Sequence, residues 1–311
     1  MVKKIINYKN FNILSKHRKS IILIGNFDGV HLGHQKLFKL ARGYKKKLRS
    51  KIGVITFEPM PKMFFNQNIK NFRISTLKQK EILLMKQGVD FIITKKFDKK
   101  FSKIKYLSFI KNILYTKINA KYIFVSNNFR FGNKREGNVK KLIQNEKNFN
   151  YKIIKPKPII SKHKIVSSTN IRKLLSKGKL NYVNKLLDRN WSIEGLVQKG
   201  RQMGKKIGFP TCNLDIKNYV IPKLGVYAVK IRIKNSNKIL KGIANIGFRP
   251  TFNQKKILLE VHIFNFSGNL YNKVLTIDFI SFIRNEKKFK NINQLKKQIS
   301  SDLVMAKKSL N

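Results

Sequence analysis

The first half of the chain alternates short apolar runs with longer amphipathic segments, and this rhythm constrains the fold more than any other feature. The short runs have the length and composition of buried strands, whereas the longer ones repeat apolar residues at helical spacing. The segments are, in order, SIILIGNF, KLFKLARGYKKKL, KIGVITF, TLKQKEILLMKQG and DFIITKKF. Alternation of strand and helix predicts a parallel α/β sheet, because each helix returns the chain to the start of the next strand.

The rhythm continues and then changes once. A helix is predicted near Tyr106 to Thr116 and two more between Ser167 and Leu187. After Asp188 the chain has short runs of alternating polarity broken by Gly, Pro and Asn, such as GVYAVKIRIK and KVLTIDFISFI. This spacing is typical of antiparallel strands in a small barrel.

The length of 311 residues fits two domains, each able to bury its own core. We place the boundary near Arg189, where helical periodicity stops, which gives domains 1–188 and 189–311. A terminal amphipathic helix, about Ile292 to Lys307, is expected to cover one side of the barrel.

The charge is strongly positive: 69 Lys and Arg against 14 Asp and Glu give +55. Such a charge suggests polyanion binding. The lysines are spread over every segment, however, whereas a nucleic-acid interface is more often a cluster or stripe. We therefore expect a solvated, lysine-rich surface and no specific nucleic-acid partner.

Cys212 is the one cysteine, which excludes an internal disulfide and a multi-cysteine metal site. The start, MVKKIINYKN, lacks the apolar stretch of a signal peptide, and no run approaches about 18 uncharged apolar residues. We expect a cytoplasmic protein without a membrane partner.

The segment GNFDGVHLGH, residues 25–34, predicts a phosphate site. It connects a strand to the start of a helix, where backbone N–H groups and the helix dipole attract an anion. Gly25, Gly29 and Gly33 allow close backbone approach. His31 and His34, three residues apart, can face one ligand and donate hydrogen bonds to phosphoryl oxygens. Capping or packing is the alternative role for these histidines, and zinc binding has less support because no third ligand cluster accompanies them.

The motif H-x-G-H after a first strand resembles the signature of the nucleotidyltransferase superfamily. The resemblance implies a Rossmann-like parallel sheet and adenylyl transfer from ATP with release of pyrophosphate. SSTNIR, residues 167–172, is similar to the second phosphate-binding segment of that superfamily, which implies that Ser168, Thr169 and Arg172 bind the β- and γ-phosphates. Ser168 and Thr169 could also cap the helix that follows.

The longer match, GNFDGVHLGH with FEPMP and NNFRFGNKREGN, resembles the FMN adenylyltransferase domain of bacterial bifunctional FAD synthetase. The resemblance extends the ATP site to Phe27 and Asp28 and places Asn128 in the flavin-nucleotide site. Three positions depart from the family pattern: Ser126 replaces Gly, Asn128 replaces Asp and Met60 replaces His.

GRQMGKKIGFPTCNL, residues 200–214, is glycine-rich and basic but lacks the spacing of a P-loop. It resembles a riboflavin kinase motif, with Lys205 where Arg is usual. Gly204 and Lys205 are thereby implied at the ATP phosphates. Thr211 and Asn213 flank one residue and so share a face of an extended chain, and the family assigns them to Mg²⁺.

In ILLEVHIFNF, alternation places Leu259, Val261 and Ile263 on one face and Glu260 and His262 on the other. Glu260 could form an ion pair with a lysine. The resemblance implies instead that it is the general base for the riboflavin 5′-hydroxyl.

We therefore predict a bifunctional enzyme that phosphorylates riboflavin to FMN and adenylylates FMN to FAD, with ATP as co-substrate and Mg²⁺ as cofactor. The fold is a nucleotidyltransferase-type sheet, followed by a small antiparallel β-barrel of riboflavin-kinase type and a terminal helix. The alternatives are an adenylyltransferase for another phosphorylated cofactor precursor and a basic nucleic-acid-binding protein on a degenerate enzyme scaffold. The sequence leaves the oligomeric state open.

Overall fold

The structure, a computed structural model, describes residues 5–199, 204, 207–250 and 255–311. The chain forms two compact units, one of residues 1–69 and 77–167 and one of residues 70–76 and 168–311. In these described ranges, no helix has both the length and the apolar character that a membrane crossing needs.

The first unit is built on a six-stranded parallel sheet with the strand order β1-β4-β3-β2-β5-β8. Two short antiparallel pairs, β6 with β7 and β9 with β10, lie outside the sheet. The strands are β1 (Ile6–Tyr8), β2 (Ile21–Ile24), β3 (Ile52–Glu58), β4 (Phe91–Lys96), β5 (Tyr122–Phe124), β6 (Arg130–Phe131), β7 (Gly137–Asn138), β8 (Lys152–Ile154), β9 (Ile160–Ser161) and β10 (Lys164–Ile165).

Helices cover both faces of this sheet, which is why its central strands are continuously apolar. In β2, Ile22 and Ile24 join the apolar cluster on one face, and Ile21 and Leu23 join the cluster on the other. The α-helices are α1 (Leu32–Leu48), α2 (Pro61–Phe65), α3 (Leu77–Lys86), α4 (Lys99–Ser102), α5 (Tyr106–Ser108) and α6 (Val139–Gln144). The predicted parallel α/β sheet is confirmed.

The helix predicted near Tyr106 to Thr116 is mostly a π-helix rather than an α-helix. The stretch from Tyr106 begins as the single turn α5, but Phe109–Lys117 is a π-helix. Its wider turn is visible at its end, where the N–H of Ile118 donates to the carbonyl of Ile113, five residues earlier. Apolar spacing does not distinguish the two helix types, because both bury one face.

The strand order reverses at the centre of the sheet. From β2 the chain builds β3 and β4 on one side, and it then crosses to build β5 and β8 on the other. In open α/β sheets, ligands bind at the carboxyl ends of the strands where the order reverses. The ends of β2 and β5 are therefore the expected position of a site.

The second unit contains a closed antiparallel barrel with the order β11-β12-β15-β14-β13-β16. The predicted barrel is thus confirmed. Its strands are β11 (Trp191–Gln198), β12 (Cys212–Asp215), β13 (Gly225–Ile233), β14 (Ile239–Pro250), β15 (Lys255–Ile263) and β16 (Val274–Asn285), and its helices are α7 (Ser168–Ser176), α8 (Leu180–Leu187) and α9 (Ile292–Leu310).

Helix α9 covers the outer face of the barrel, as predicted from its amphipathic pattern. Ala306 and Leu310 pack on the outward side chains Val226, Ala228 and Ile243. A buried ion pair adds to this contact: the Arg284 guanidinium of β16 donates from Nη2 to Asp302 Oδ2 of α9 at 2.7 Å. The helix is therefore held by apolar packing and by one charge-assisted contact.

Residues 70–76 are part of the barrel unit. The N–H of Arg73 donates to the carbonyl of Asn218 at 3.2 Å, and the N–H of Val220 donates back to Arg73 at 2.8 Å. The indole of Trp191, which is 1 % exposed, donates to the carbonyl of Ile74 at 3.0 Å. Trp191 is accordingly a packing residue. The limits 1–188 and 189–311 stay a prediction about the functional domains.

Candidate active sites

The predicted phosphate segment follows β2 at the reversal point of the sheet and leads into α1. Its backbone is strained at Phe27 and Val30, where φ is 49° and 39°, while Gly29 has a φ of 78° that glycine adopts without strain. A positive φ is rare for a β-branched residue, and such strain is concentrated at functional sites. The turn brings the start of α1 to the carboxyl edge of the sheet, the geometry that attracts a phosphate.

The two motif histidines form a stacked pair at the start of α1. The ring centroids of His31 and His34 are 3.7 Å apart with 18° between the planes, and the edge-on ring of Phe27 lies 5.1 Å from His34. Burial lowers the pKa of His34 well below its ordinary value, and the charges of His31 and Lys80 lower it further. His34 is therefore a neutral imidazole near pH 7, and a neutral ring donates one hydrogen bond and accepts another.

Two glycines of the segment are required by contacts within it. A Cβ at Gly33 would lie 3.1 Å from the His31 ring and 3.2 Å from the carbonyl oxygen of Val166. A Cβ at Gly25 would lie 3.2 Å from the Phe27 ring. Glycine at these two positions therefore allows the close packing of the loop, in addition to leaving room for a ligand. Asp28 is buried in the same turn.

Asn128 lies beyond β5, the strand next to β2, and so at the same edge of the sheet as the histidines. It is exposed, and its Oδ1 accepts a hydrogen bond from Ser126 Oγ at 2.9 Å. Ser126 and Asn128 are two of the positions that depart from the family pattern, and this hydrogen bond joins them.

The residues of the second phosphate segment lie in the barrel unit. Helix α7 begins at Ser168, so Ser168 and Thr169 are its first two residues rather than its cap. The Arg172 guanidinium stacks on the Phe72 ring at 3.6 Å, and its Nε donates to the Phe72 carbonyl at 2.6 Å. The sequence did not identify Phe72 as a support for this arginine. Phosphate binding by these residues stays a prediction.

The predicted base of the second site lies in a row of polar residues across three strands. Glu260 of β15 is directly opposite Asn213 of β12 and Asn245 of β14. Paired residues share a face of the sheet. Leu259 and Val261 are buried in the barrel, so the predicted alternation is confirmed. Asn245 is an addition that only the strand register identifies.

Asn213 is the buried member of this row. It is 7 % exposed, and among the described residues its Oδ1 has no hydrogen-bond partner. Thr211 is exposed and lies just before the same strand, which begins at Cys212. His262 Nδ1 donates to the Pro210 carbonyl at 2.8 Å, which fixes the chain just before Thr211. The predicted oxygen ligands and Glu260 are thus on adjacent strands.

The glycine-rich segment before this strand is described in part. The Gly204 carbonyl accepts from the N–H of Phe209 at 2.8 Å, which closes a tight turn. A Cβ at Gly204 would lie 2.3 Å from the Phe209 carbonyl oxygen, so the turn requires glycine. Lys205 lies outside the described residues, and its contact with ATP stays a prediction.

Sequence reasoning missed a buried lysine near the histidines. Lys80 of α3 is 2 % exposed, and its Nζ donates to Thr56 Oγ1 at 3.0 Å. In a chain so rich in lysine, nothing in the local sequence distinguishes this one from its exposed neighbours.

Comparisons with known proteins identify one family model for each half of the chain. The family model described as FAD synthetase matches residues 13–170, and the one described as riboflavin kinase matches residues 187–310. The bifunctional riboflavin kinase/FMN adenylyltransferase of Buchnera aphidicola subsp. Schizaphis graminum is 41% identical and covers 100% of this chain and 99% of its own length. The enzyme of the same name from Escherichia coli K12 is 33% identical, over 92% of this chain and 91% of its own.

A solved structure from Streptococcus pneumoniae, described as a macrolide-efflux protein, has the same fold, with a TM-score of 0.85 and 27% identity over 97% of this chain and 98% of that one. With the geometry of the two units and these full-length matches, the chain belongs to the family of bifunctional riboflavin kinase/FMN adenylyltransferases.

Proposed function

We propose that the two reactions of this family occur at two separate sites, one built on the sheet and one on the barrel. As a member of the family, the chain phosphorylates riboflavin to FMN and adenylylates FMN to FAD, with ATP as co-substrate in both steps. The observation that carries the division is that the stacked histidines and the Glu260 row belong to different compact units. Riboflavin, FMN and ATP are then the partners of the chain.

At the sheet site, a phosphate oxygen of FMN attacks the α-phosphorus of ATP, and the bond to the β-phosphate breaks to release pyrophosphate. FMN phosphate is already an anion, so this step needs no strong base. His31 and His34 donate hydrogen bonds to the oxygens on which charge develops, supported by the backbone of residues 25–33. The family resemblance assigns Ser168, Thr169 and Arg172, which belong to the barrel unit, to the departing phosphates.

The flavin end of FMN is bound near the carboxyl end of β5. Asn128 offers amide N–H donors there, because its Oδ1 already accepts from Ser126. Amide donors suit an uncharged flavin edge or a phosphate better than the Asp that is common in the family would.

At the barrel site, Glu260 accepts the proton of the riboflavin 5′-hydroxyl as its oxygen attacks the γ-phosphorus of ATP, and ADP leaves. Asn213 and Asn245 are the residues directly opposite Glu260 on the two neighbouring strands, so polar groups flank it on both sides. The N–H groups of the Gly204 turn, with Lys205, contact the phosphates.

The residues present fit a magnesium ion at this site. Mg²⁺ takes oxygen ligands and binds through few protein groups plus phosphates. Asn213 offers a buried Oδ1 that has no hydrogen-bond partner in the described part of the chain, and Thr211 offers a hydroxyl two residues earlier. When bound, the ion neutralises charge on the ATP phosphates.

Two substitutions test the division. His31→Ala should stop the reaction of riboflavin, ATP and Mg²⁺ at FMN, since the kinase site is untouched. Glu260→Gln should block FMN formation but spare FAD synthesis from supplied FMN. Separation of the flavins by chromatography measures both steps in one mixture, and each variant is the control for the other. Loss of both activities in either folded variant would refute two separate sites.

We also infer that the enzyme works in the cytoplasm, where ATP is available and the single thiol of Cys212 stays reduced. The lysines are spread over every segment of the sequence, and we expect no specific nucleic-acid partner.

A further inference from the structure

Lys80 is buried, and this sets it apart from the many lysines on the surface of this chain. Lysine is almost never fully buried unless it is paired, because removing an ammonium group from water is costly. Compositional bias adds lysines where water solvates them, so it does not account for one that is 2 % exposed. The position therefore indicates a role for the charge.

The ammonium group of Lys80 begins a hydrogen-bond chain to the phosphate loop. Lys80 Nζ donates to Thr56 Oγ1 at 3.0 Å, and Thr56 Oγ1 donates to the carbonyl oxygen of Asn26 at 3.4 Å. Thr56 is fully buried near the carboxyl end of β3, the strand beside β2. Asn26 lies between Gly25 and Phe27, at the start of the strained turn. Helix α3 is thus connected through one hydroxyl to the loop that carries the histidines.

The same charge acts on the histidine pair. Lys80 is near enough to His34 to disfavour its protonation, together with burial and His31. A positive charge held away from water has a stronger field than one at the surface. Asp28, a second buried residue of ionisable type, lies in the loop that carries the histidines. A triphosphate bound by the histidines would therefore be attracted by this charge as well.

We propose that Lys80 is a positioning residue of the adenylyl-transfer site, which fixes the Gly25–Val30 turn through Thr56 and places a buried ammonium group near His31 and His34. This inference rests on the proposed assignment of the histidines to that reaction. Lys80 does not touch the reacting atoms. Its effect is on the binding of ATP and on the placement of the loop.

The test is a series of substitutions at one position. Lys80→Met keeps the length but removes the charge, Lys80→Gln keeps a donor, and Lys80→Arg keeps both charge and donor. We expect Lys80→Met to lower kcat/KM for ATP in FAD synthesis about 10- to 100-fold, the range typical of residues that support a site indirectly. The KM for ATP should rise, whereas the KM for FMN should change less than about twofold.

The order of FAD synthesis activity among the three Lys80 variants distinguishes a role of the charge from a role in packing. If the charge matters, activity falls in the order Arg, Gln, Met. If Lys80 only fills space, Met is the best tolerated of the three and Arg the worst, and the proposal is overturned. Thr56→Val, which removes the hydroxyl but keeps the lysine, should raise the KM for ATP by a smaller factor than Lys80→Met does.

Two controls make the result decisive. Lys86→Met changes an exposed lysine of the same helix and should leave both activities unchanged. Riboflavin kinase activity, measured in the same preparation, shows that each variant is folded at the barrel. If His31→Ala leaves FAD synthesis intact, the site assignment and this inference both fail. If His31→Ala blocks FAD synthesis while Lys80→Met matches Lys86→Met, this inference alone fails.

Discussion

Gly33→Ala should damage the histidine pair while leaving the fold nearly intact. The new Cβ would lie 3.1 Å from two atoms of the His31 ring and 3.2 Å from the carbonyl oxygen of Val166, which is tighter than ordinary contact. The carbonyl belongs to the backbone, so the imidazole is the group that must move. Its stacking on His34, at a centroid distance of 3.7 Å, leaves no room in that direction. The ring must therefore tilt away by a few tenths of an ångström.

The expected magnitudes follow from these contacts. Overpacking of this kind destabilises the folded protein by about 1–3 kcal/mol, whereas replacement of a helical glycine by alanine stabilises it by about 0.5–1 kcal/mol. The free energy of unfolding should therefore fall by no more than about 2.5 kcal/mol. A displaced catalytic group costs far more in rate, and we expect FAD synthesis from FMN to fall about 10- to 100-fold.

Gly43→Ala on the same helix is the matched control. There an added Cβ would meet no atom of the described residues within 4 Å, so the change should stabilise the protein by about 0.5–1 kcal/mol without affecting activity. The assay is chromatographic FAD formation together with thermal unfolding of both variants. If Gly33→Ala makes FAD at the rate of Gly43→Ala, the reasoning about the His31 ring is wrong.

Three further predictions concern stability and reactivity. Asp302→Ala leaves the Arg284 guanidinium without its buried partner and should cost about 3–5 kcal/mol in urea unfolding; a loss below about 1 kcal/mol would contradict a buried pair. For His34, burial holds the folded pKa below the ordinary 6.5, so the unfolded chain binds more protons as the pH falls. Stability should be full above pH 6.5 and decline below it, and His34→Gln should reduce that decline in unfolding measured across this range; an unchanged decline would refute the role of His34. Burial raises the pKa of the Cys212 thiol to about 12, so iodoacetamide should label the native protein far more slowly than the unfolded one at neutral pH; equal rates would show an accessible thiolate.

Much of the architecture follows from local pattern. Continuous apolar runs between amphipathic segments require a sheet covered on both faces, and strict alternation in β15 requires one covered face. These patterns are properties of single segments, which is why the sheet, the barrel and the covering helix α9 were predictable. The π-helical turn of Phe109–Lys117 was not, since it buries the same face as an α-helix.

The candidate site residues also fall into those that a local motif predicts and those that it does not. His31, His34 and Glu260 were predicted as site residues because each stands in a motif of adjacent residues. Asn245 was missed because it is 15 residues away from Glu260 and reaches it only through strand register. Lys80 was missed because burial, not residue type, distinguishes it.

The sequence by itself determined that the phosphate loop follows a strand and opens a helix, because glycine positions and helix polarity are local. Only the tertiary structure decided that this loop lies at the reversal point of the sheet and that Gly33 is needed for the packing of His31. It also decided that residues 70–76 belong to the barrel unit. The physical reason is that these features depend on contacts between segments far apart in the chain, and such contacts leave no periodic or local signal in the residues that make them.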